Sequence, residues 1–155
     1  MIARFEEDAY VVDASVGIKW VIEEEHSPVA DLLLMGTKRL IVPDRFYSEV
    51  ANVLWKRTRR GNVLDRISVS DARDGLTQIL SVRLETIPSA ELVAGSMEIA
   101  LETGRSTYDC DYLALALRMN APFVTADDRF YRAVASHPHY GSLLMWIDRS
   151  RPADL

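Results

Sequence analysis

The 155-residue sequence predicts an α/β protein, with a mainly parallel sheet covered on both faces by helices. Three observations carry that expectation. Short runs rich in β-branched and aromatic residues alternate with longer runs whose apolar residues follow helical spacing. Glycine and proline, 7 and 6 residues, are scattered as single turn markers and form no linker. No stretch is low in complexity, and nothing repeats with a period of roughly 20 to 50 residues. With 48% hydrophobic residues, a chain of this length can bury a core without disulfides, so a single domain over residues 1–155 is expected.

The elements follow in order. Tyr10-Val11-Val12 is the first strand. Ser27 to Gly36 has helical spacing, a serine at its start and a glycine at its end. Leu40-Ile41-Val42 is the second strand, and Pro43-Asp44 leads into a helix reaching Arg60, where Gly61 and Asn62 mark its end. Ser68 opens a helix to Leu80, and Leu84-Glu85-Thr86-Ile87 is the third strand. Helices are expected from Ser89 to Thr103 and from Thr107 to Asn120. The strands Phe123-Val124-Thr125 and Leu143 to Ile147 complete the pattern. In such a fold a ligand binds outside the carboxyl ends of the strands, near a topological switch point.

The formal net charge of -5 argues against a protein that coats nucleic acid through its overall field, but not against an enzyme that gathers acids around a cation. Cys110 is the single cysteine, which excludes an intramolecular disulfide and fits a reducing compartment. No run approaches the roughly 20 apolar residues of a membrane span, so a cytoplasmic protein is the expectation.

Four acids stand at positions that need a reason. Asp13 ends the first strand and is followed by Ala14-Ser15; Asp127 ends Phe123-Val124-Thr125-Ala126-Asp127, with Asp128 beside it. If those strands are neighbours, their ends lie about 5 Å apart, within reach of one shared cation. Each acid can equally be a helix N-cap. Glu49 falls on the face of Phe46 and Val53, with Val50 at the flank, either as part of a site or at the edge of that stripe and paired with an arginine. Asp109, in the first turn of its helix, shares a face with Leu113, Ala116 and Leu117 and is expected to point inward; Asp111 is expected to be rotated away. The alternative for Asp109 is an acid that merely complements the helix dipole.

Clustered carboxylates repel one another unless a cation or protons intervene. An oxygen-only donor set, with His26, His137 and His139 at no metal spacing, points to a hard ion, Mg²⁺ or Mn²⁺. Ser15 and Thr125 are candidate supporting hydroxyls, and Asp128 could share the role of Asp127. Lys56, Arg57, Arg59 and Arg60 form the densest basic cluster and are candidate phosphate contacts, although basic residues also favour helix ends. Trp20, Trp55 and Trp146 sit among apolar residues and are read as core or interface.

Taken as an ordered set, Val12-Asp13-Ala14-Ser15, Pro43 through Glu49-Val50-Ala51-Asn52-Val53-Leu54, Tyr108-Asp109-Cys110-Asp111-Tyr112 and Val124-Thr125-Ala126-Asp127 resemble the acid-bearing motifs of PIN domains, most closely those of VapC-type toxins. The resemblance spans nearly the whole chain. It implies a three-layer α/β/α sandwich, and a metal-dependent endoribonuclease in which Asp13, Glu49, Asp109 and Asp127 form the metal site and metal-activated water cleaves RNA. It also implies homodimerisation and inhibition by a cognate antitoxin, and it sets Asp111 at a variable position. The same fold serves RNA-processing nucleases without an antitoxin and non-catalytic binding modules. A haloacid-dehalogenase phosphatase needs a second aspartate where this chain has Ser15.

Overall fold

Val11 and Val12 are fully buried, and the strand that contains them, β1 (Ala9–Val12), lies at the centre of the sheet. The computed structural model describes residues 8–59 and 65–150. Within them β1 is joined by β2 (Arg39–Pro43), β3 (Glu85–Ile87), β4 (Phe123–Thr125) and β5 (Leu144–Trp146) in the order β3-β2-β1-β4-β5. Every neighbouring pair is parallel, so the expectation of a mainly parallel sheet in an α/β fold holds. The chain builds outward from β1 on one side, then returns to its other side with β4. The switch point therefore falls between β1 and β4.

Among the described residues seven α-helices accompany the sheet: α1 (Ala14–Gly17), α2 (Ser27–Met35), α3 (Phe46–Arg59), α4 (Val69–Ser81), α5 (Val93–Thr103), α6 (Thr107–Met119) and α7 (Asp128–Val134). Local chemistry sets their limits. Ser68 and Asp71 form a reciprocal capping box at the start of α4, and Ser106 caps α6 through the Asp109 N–H. Asn120 closes α6 in the left-handed conformation, as the sequence pattern suggested. The helix expected from Ser89 is instead a 3-10 turn, Ser89–Glu91, followed by α5. Asp44 is one reason: its carboxylate accepts hydrogen bonds from the Ser89 N–H and hydroxyl, tying this turn to the end of β2. The last strand is shortened because Leu143 ends the turn Gly141–Leu143.

Helix α6 packs directly on β1, β2 and β4, and α5 packs on α6. Cys110 through Ala116 are consequently all buried. Elsewhere, α3 packs on α1 and α4. A Cβ at Gly17 would meet the buried Phe46 ring at 2.3 Å, so glycine is what lets the segment after β1 approach the first turn of α3. That approach brings the Glu49 turn to the switch point. No helix among the described residues is long and apolar enough to cross a membrane.

Candidate active site

The ends of β1 and β4 meet through the Asp13 N–H, which donates to the Val124 carbonyl at 3.0 Å. Asp13 occupies the N-cap position of α1, yet no side-chain hydrogen bond caps that helix. Its carboxylate is engaged elsewhere. Oδ2 accepts from Thr125 Oγ1 at 2.6 Å and from Ser15 Oγ at 2.8 Å. Each hydroxyl also accepts a backbone N–H, Thr125 from Asp127 and Ser15 from Ala126, both at 3.0 Å. A hydroxyl has one proton to give, so these backbone donors steer both protons onto Asp13. The supporting roles expected of Ser15 and Thr125 have this geometric form, and Thr125 is 0% exposed.

Across the switch point, Glu49 Oε1 accepts from Arg45 Nε at 2.8 Å and from the Tyr112 hydroxyl at 3.2 Å. The Tyr112 ring is buried and stacked on Phe123 at 5.3 Å between centroids, which fixes where its hydroxyl can reach. Burial raises the carboxyl pKa of Asp13, opposed by the two hydroxyls and reinforced by the Asp127 charge. Glu49 is likewise pushed up by burial, opposed chiefly by the Arg45 charge. Burial, then the charges of Asp13 and Glu49, hold the Tyr112 phenol well above its ordinary value, so it serves as a hydrogen-bond donor.

Asp13, Glu49, Asp109 and Asp127 all line one pocket of about 180 Å³, floored by Tyr112, Phe123 and Phe130. Among the described residues they form no ready-made cage of three or more ligands; they face a common void instead. The donors fit a hard divalent cation. All are carboxylate oxygens, and a cation would offset the burial and the lesser mutual repulsion that raise the Asp13 and Glu49 pKa values.

The individual acids differ from their sequence-based expectations. Asp127 is both a cap and a pocket residue, since it accepts from the Phe130 N–H of α7 at 2.9 Å and also lines the pocket. Glu49 similarly reaches the pocket while paired with an arginine. The inward and outward assignments of Asp109 and Asp111 must be exchanged. Asp109 is exposed at the pocket edge, whereas Asp111 is 5% exposed, accepting from Ser96 Oγ at 2.5 Å and from Arg45 Nη1 at 3.1 Å. An apolar stripe misplaces the two because α6 is covered by the sheet on one side and by α5 on the other, leaving no solvent face beside Asp111. The α5 side of that contact is small: Ser96 is buried, and a Cβ at Gly95 would make ordinary contact with Ala114 at 3.5 Å.

Asp128 does not join the pocket: it is exposed and pairs with Arg132 at 2.8 Å, one helical turn on. Nor does the basic cluster. Arg57 is paired with Glu24 at 2.7 Å, and Arg59 lies over the exposed Trp55 ring in a separate groove between α3 and α4. Lys56 is exposed near the same end of α3, and Arg60 lies outside the described residues. Glu49 is in the first turn of α3 and these cations are in its last, roughly 10 to 15 Å along the axis at 1.5 Å per residue. Trp20 is core, with its indole N–H donating to the Ala30 carbonyl, and Trp146 is half-buried against Tyr131.

Two residues that support Glu49, Arg45 and Tyr112, were given no role from the sequence. Arg45 could have been found only from its spacing, four residues before Glu49. Tyr112 could have been found from its place one turn after Asp109.

A parallel sheet with four acids around its switch point defines a class before it defines a protein, and similarity to known proteins narrows it. The PIN-domain family profile matches residues 10–135, and the chain belongs to that family. It is 32% identical over 117 residues to Ribonuclease VapC3 of Pyrobaculum aerophilum, covering 76% of this chain and 88% of that protein. It is 31% identical over 119 residues to Ribonuclease VapC9 of Mycobacterium tuberculosis, covering 77% and 86%. In fold it is similar to the Pyrobaculum aerophilum protein PAE2754, with a TM-score of 0.62 at 23% identity and 83% coverage of each chain. It is also similar to Mycobacterium tuberculosis VapC20, described as a toxin that cleaves the sarcin-ricin loop, with a TM-score of 0.61 at 16% identity, covering 81% of this chain and 95% of that one.

Proposed function

We propose that this chain is a divalent-metal-dependent endoribonuclease and the toxin of a type II toxin-antitoxin pair. The observation that carries the reading is the shared pocket of Asp13, Glu49, Asp109 and Asp127 at the β1/β4 switch point, in a chain whose curated relatives are VapC ribonucleases. Asp13 and Glu49 are the innermost ligands, and Asp109 and Asp127 complete the ring from the rim. Mg²⁺ or Mn²⁺ suits these oxygen donors. When bound there, such an ion lowers the pKa of water, neutralises the phosphate and stabilises the leaving oxygen.

The protein's own part is placement. Thr125 and Ser15 hold one oxygen of Asp13 and fix the carboxylate plane. Arg45 and the Tyr112 hydroxyl do the same for Glu49. Asp127 is anchored by its capping bond to α7, so its reach into the pocket is set by the helix and not by a free rotor.

Incubation of the purified protein with total RNA and Mg²⁺ or Mn²⁺ should give discrete cleavage products. EDTA and Asp109→Asn should each abolish them, and cleavage that survives both would sink the metal-site mechanism. Among solved structures of similar fold is the VapBC2 complex of Rickettsia felis bound to a promoter DNA fragment, with a TM-score of 0.58 at 15% identity, covering 89% of this chain and 98% of that one. Partnership with a cognate antitoxin, a homodimeric state and a cytoplasmic site of action belong to the same proposal. Growth arrest on expression, relieved by a small protein encoded directly upstream, is the measurement that separates a toxin from an RNA-processing nuclease.

A further inference from the structure

Beside the acidic pocket lies a wider groove of about 690 Å³ that shares Glu49 with it. Its walls come from the first half of α3, the turn Ser89–Glu91 with the start of α5, and the start of α6. Arg45 is the only lysine or arginine lining either space among the described residues. Its guanidinium is held on three sides: Nε on Glu49 at 2.8 Å, Nη1 on the buried Asp111 at 3.1 Å, and the plane 4.2 Å from the Tyr108 ring centroid. Nη2 makes no hydrogen bond among the described residues.

Tyr108 is otherwise hard to explain. A 66% exposed tyrosine in the first turn of α6 contributes little to a core. With Arg45 on one face of the ring and the residue still mostly exposed, the second face is open to solvent. A buried carboxylate that immobilises an arginine, which in turn orients an exposed aromatic ring, is a costly arrangement in a surface groove. It has a use where an unpaired base must be stacked and its phosphate gripped. Stacking is open to any base, and a guanidinium pairs with phosphate oxygens.

We propose that the groove is a nucleotide subsite in which Tyr108 stacks on the unpaired base flanking the scissile phosphate while Arg45 Nη2 binds that nucleotide's phosphate. Asn52 and Ser48, which line the same groove, supply the polar groups that read the base edge. Asp111 is the positioning residue that holds Arg45 at the junction with the acidic pocket. The subsite rests on the ribonuclease reading above. It places the RNA strand along α3's first turns and the α5–α6 side, away from Lys56, Arg57 and Arg59.

Steady-state cleavage of a short single-stranded oligoribonucleotide, together with mapping of cut sites in total RNA, tests it. Tyr108→Ala should raise KM by roughly 5- to 150-fold, the range for loss of one base stack, with a smaller change in kcat. It should also flatten the base preference at one position beside the cut. Tyr108→Phe keeps the ring and should recover most of the lost affinity, whereas Trp55→Ala, in the α3–α4 groove, should move neither KM nor the cut-site pattern. Metal-dependent cleavage by Tyr108→Ala with an unchanged KM and pattern would overturn the subsite and leave the nuclease standing. Loss of affinity in Trp55→Ala instead would move the RNA path to the other groove and overturn the subsite too. Absence of any metal-dependent RNA cleavage by the unaltered protein would remove the nuclease reading itself.

Discussion

The small acidic pocket and the wider groove beside it share Glu49, but among the described residues only the groove is lined by a basic side chain. The pocket holds Asp13, Glu49, Asp109 and Asp127 with no basic side chain among the described residues that line it, so apart from the Arg45 pairing of Glu49 its charge is balanced by protons or by the cation proposed above. The groove brings its own cation, Arg45, fixed by the buried Asp111. In the proposed reading, chemistry and binding meet at a single shared glutamate. The net charge of -5 is matched locally, since the groove sets Arg45 among Asp44, Glu49 and Asp111, so any grip on phosphate there rests on the placement of one guanidinium and not on an overall positive field. Substitutions on the two sides of Glu49 should therefore fail in different ways.

The largest effect belongs to the pocket. Asp13→Asn should reduce RNA cleavage by more than the roughly 100-fold that loss of a supporting group can cost, because Asp13 itself is a ligand in the proposed site. A variant retaining a tenth of the activity would show that Asp13 is structural. Thr125→Val comes next. It keeps the shape but removes the 2.6 Å hydrogen bond to Asp13 and the acceptor for the Asp127 N–H. A loss of roughly 10- to 100-fold in activity or metal affinity is expected, measured by metal titration of cleavage.

On the groove side, Asp111→Ala leaves Arg45 without its buried partner and Ser96 without its acceptor. Removing one member of a fully buried pair costs roughly 3–5 kcal/mol. The Arg45 side chain is 22% exposed, which gives its charge partial access to water, so about 2–3 kcal/mol is expected here. Urea denaturation reads this directly, and a cost below about 1 kcal/mol would mean that Asp111 does not anchor Arg45.

How much of this was legible depends on where each signal is written. A carboxylate just past an apolar strand is a local pattern, so the sequence alone places Asp13 and Asp127 at the sheet edge. That β1 and β4 are adjacent could not be read locally, since it is a property of strand order. Helix α6 misled because periodicity marks an apolar face only when another face meets water, and α6 is covered on two sides. The Arg45–Asp111 pair joins residues 66 positions apart, with no pattern in either segment that points to the other. The basic cluster was visible because it is contiguous in sequence, yet its contacts with Glu24 and Trp55 tie it to the far end of α3.

The smallest effect concerns stability, and it separates pocket from groove without any RNA. Burial raises the folded-state pKa of both Asp13 and Glu49 above their ordinary values of 3.8 and 4.5. Between the ordinary and raised values the native state binds more protons than the unfolded chain, so metal-free stability should fall as pH rises through that window. Asp13→Asn removes one buried charge, and its amide oxygen can still accept from Thr125 and Ser15. In EDTA at neutral pH the variant should melt a few degrees above the unaltered protein, at roughly 2–4 °C per kcal/mol for a chain of this size. Saturating Mg²⁺ should reverse the order, because about 2.7 kcal/mol of stabilisation at 100 times Kd is open only to the protein that binds the ion. Asp111→Ala should show no such reversal, since its loss is independent of metal. Parallel melting curves for Asp13→Asn and the unaltered protein, with and without Mg²⁺, would mean that the buried carboxylates are held for a reason other than a cation.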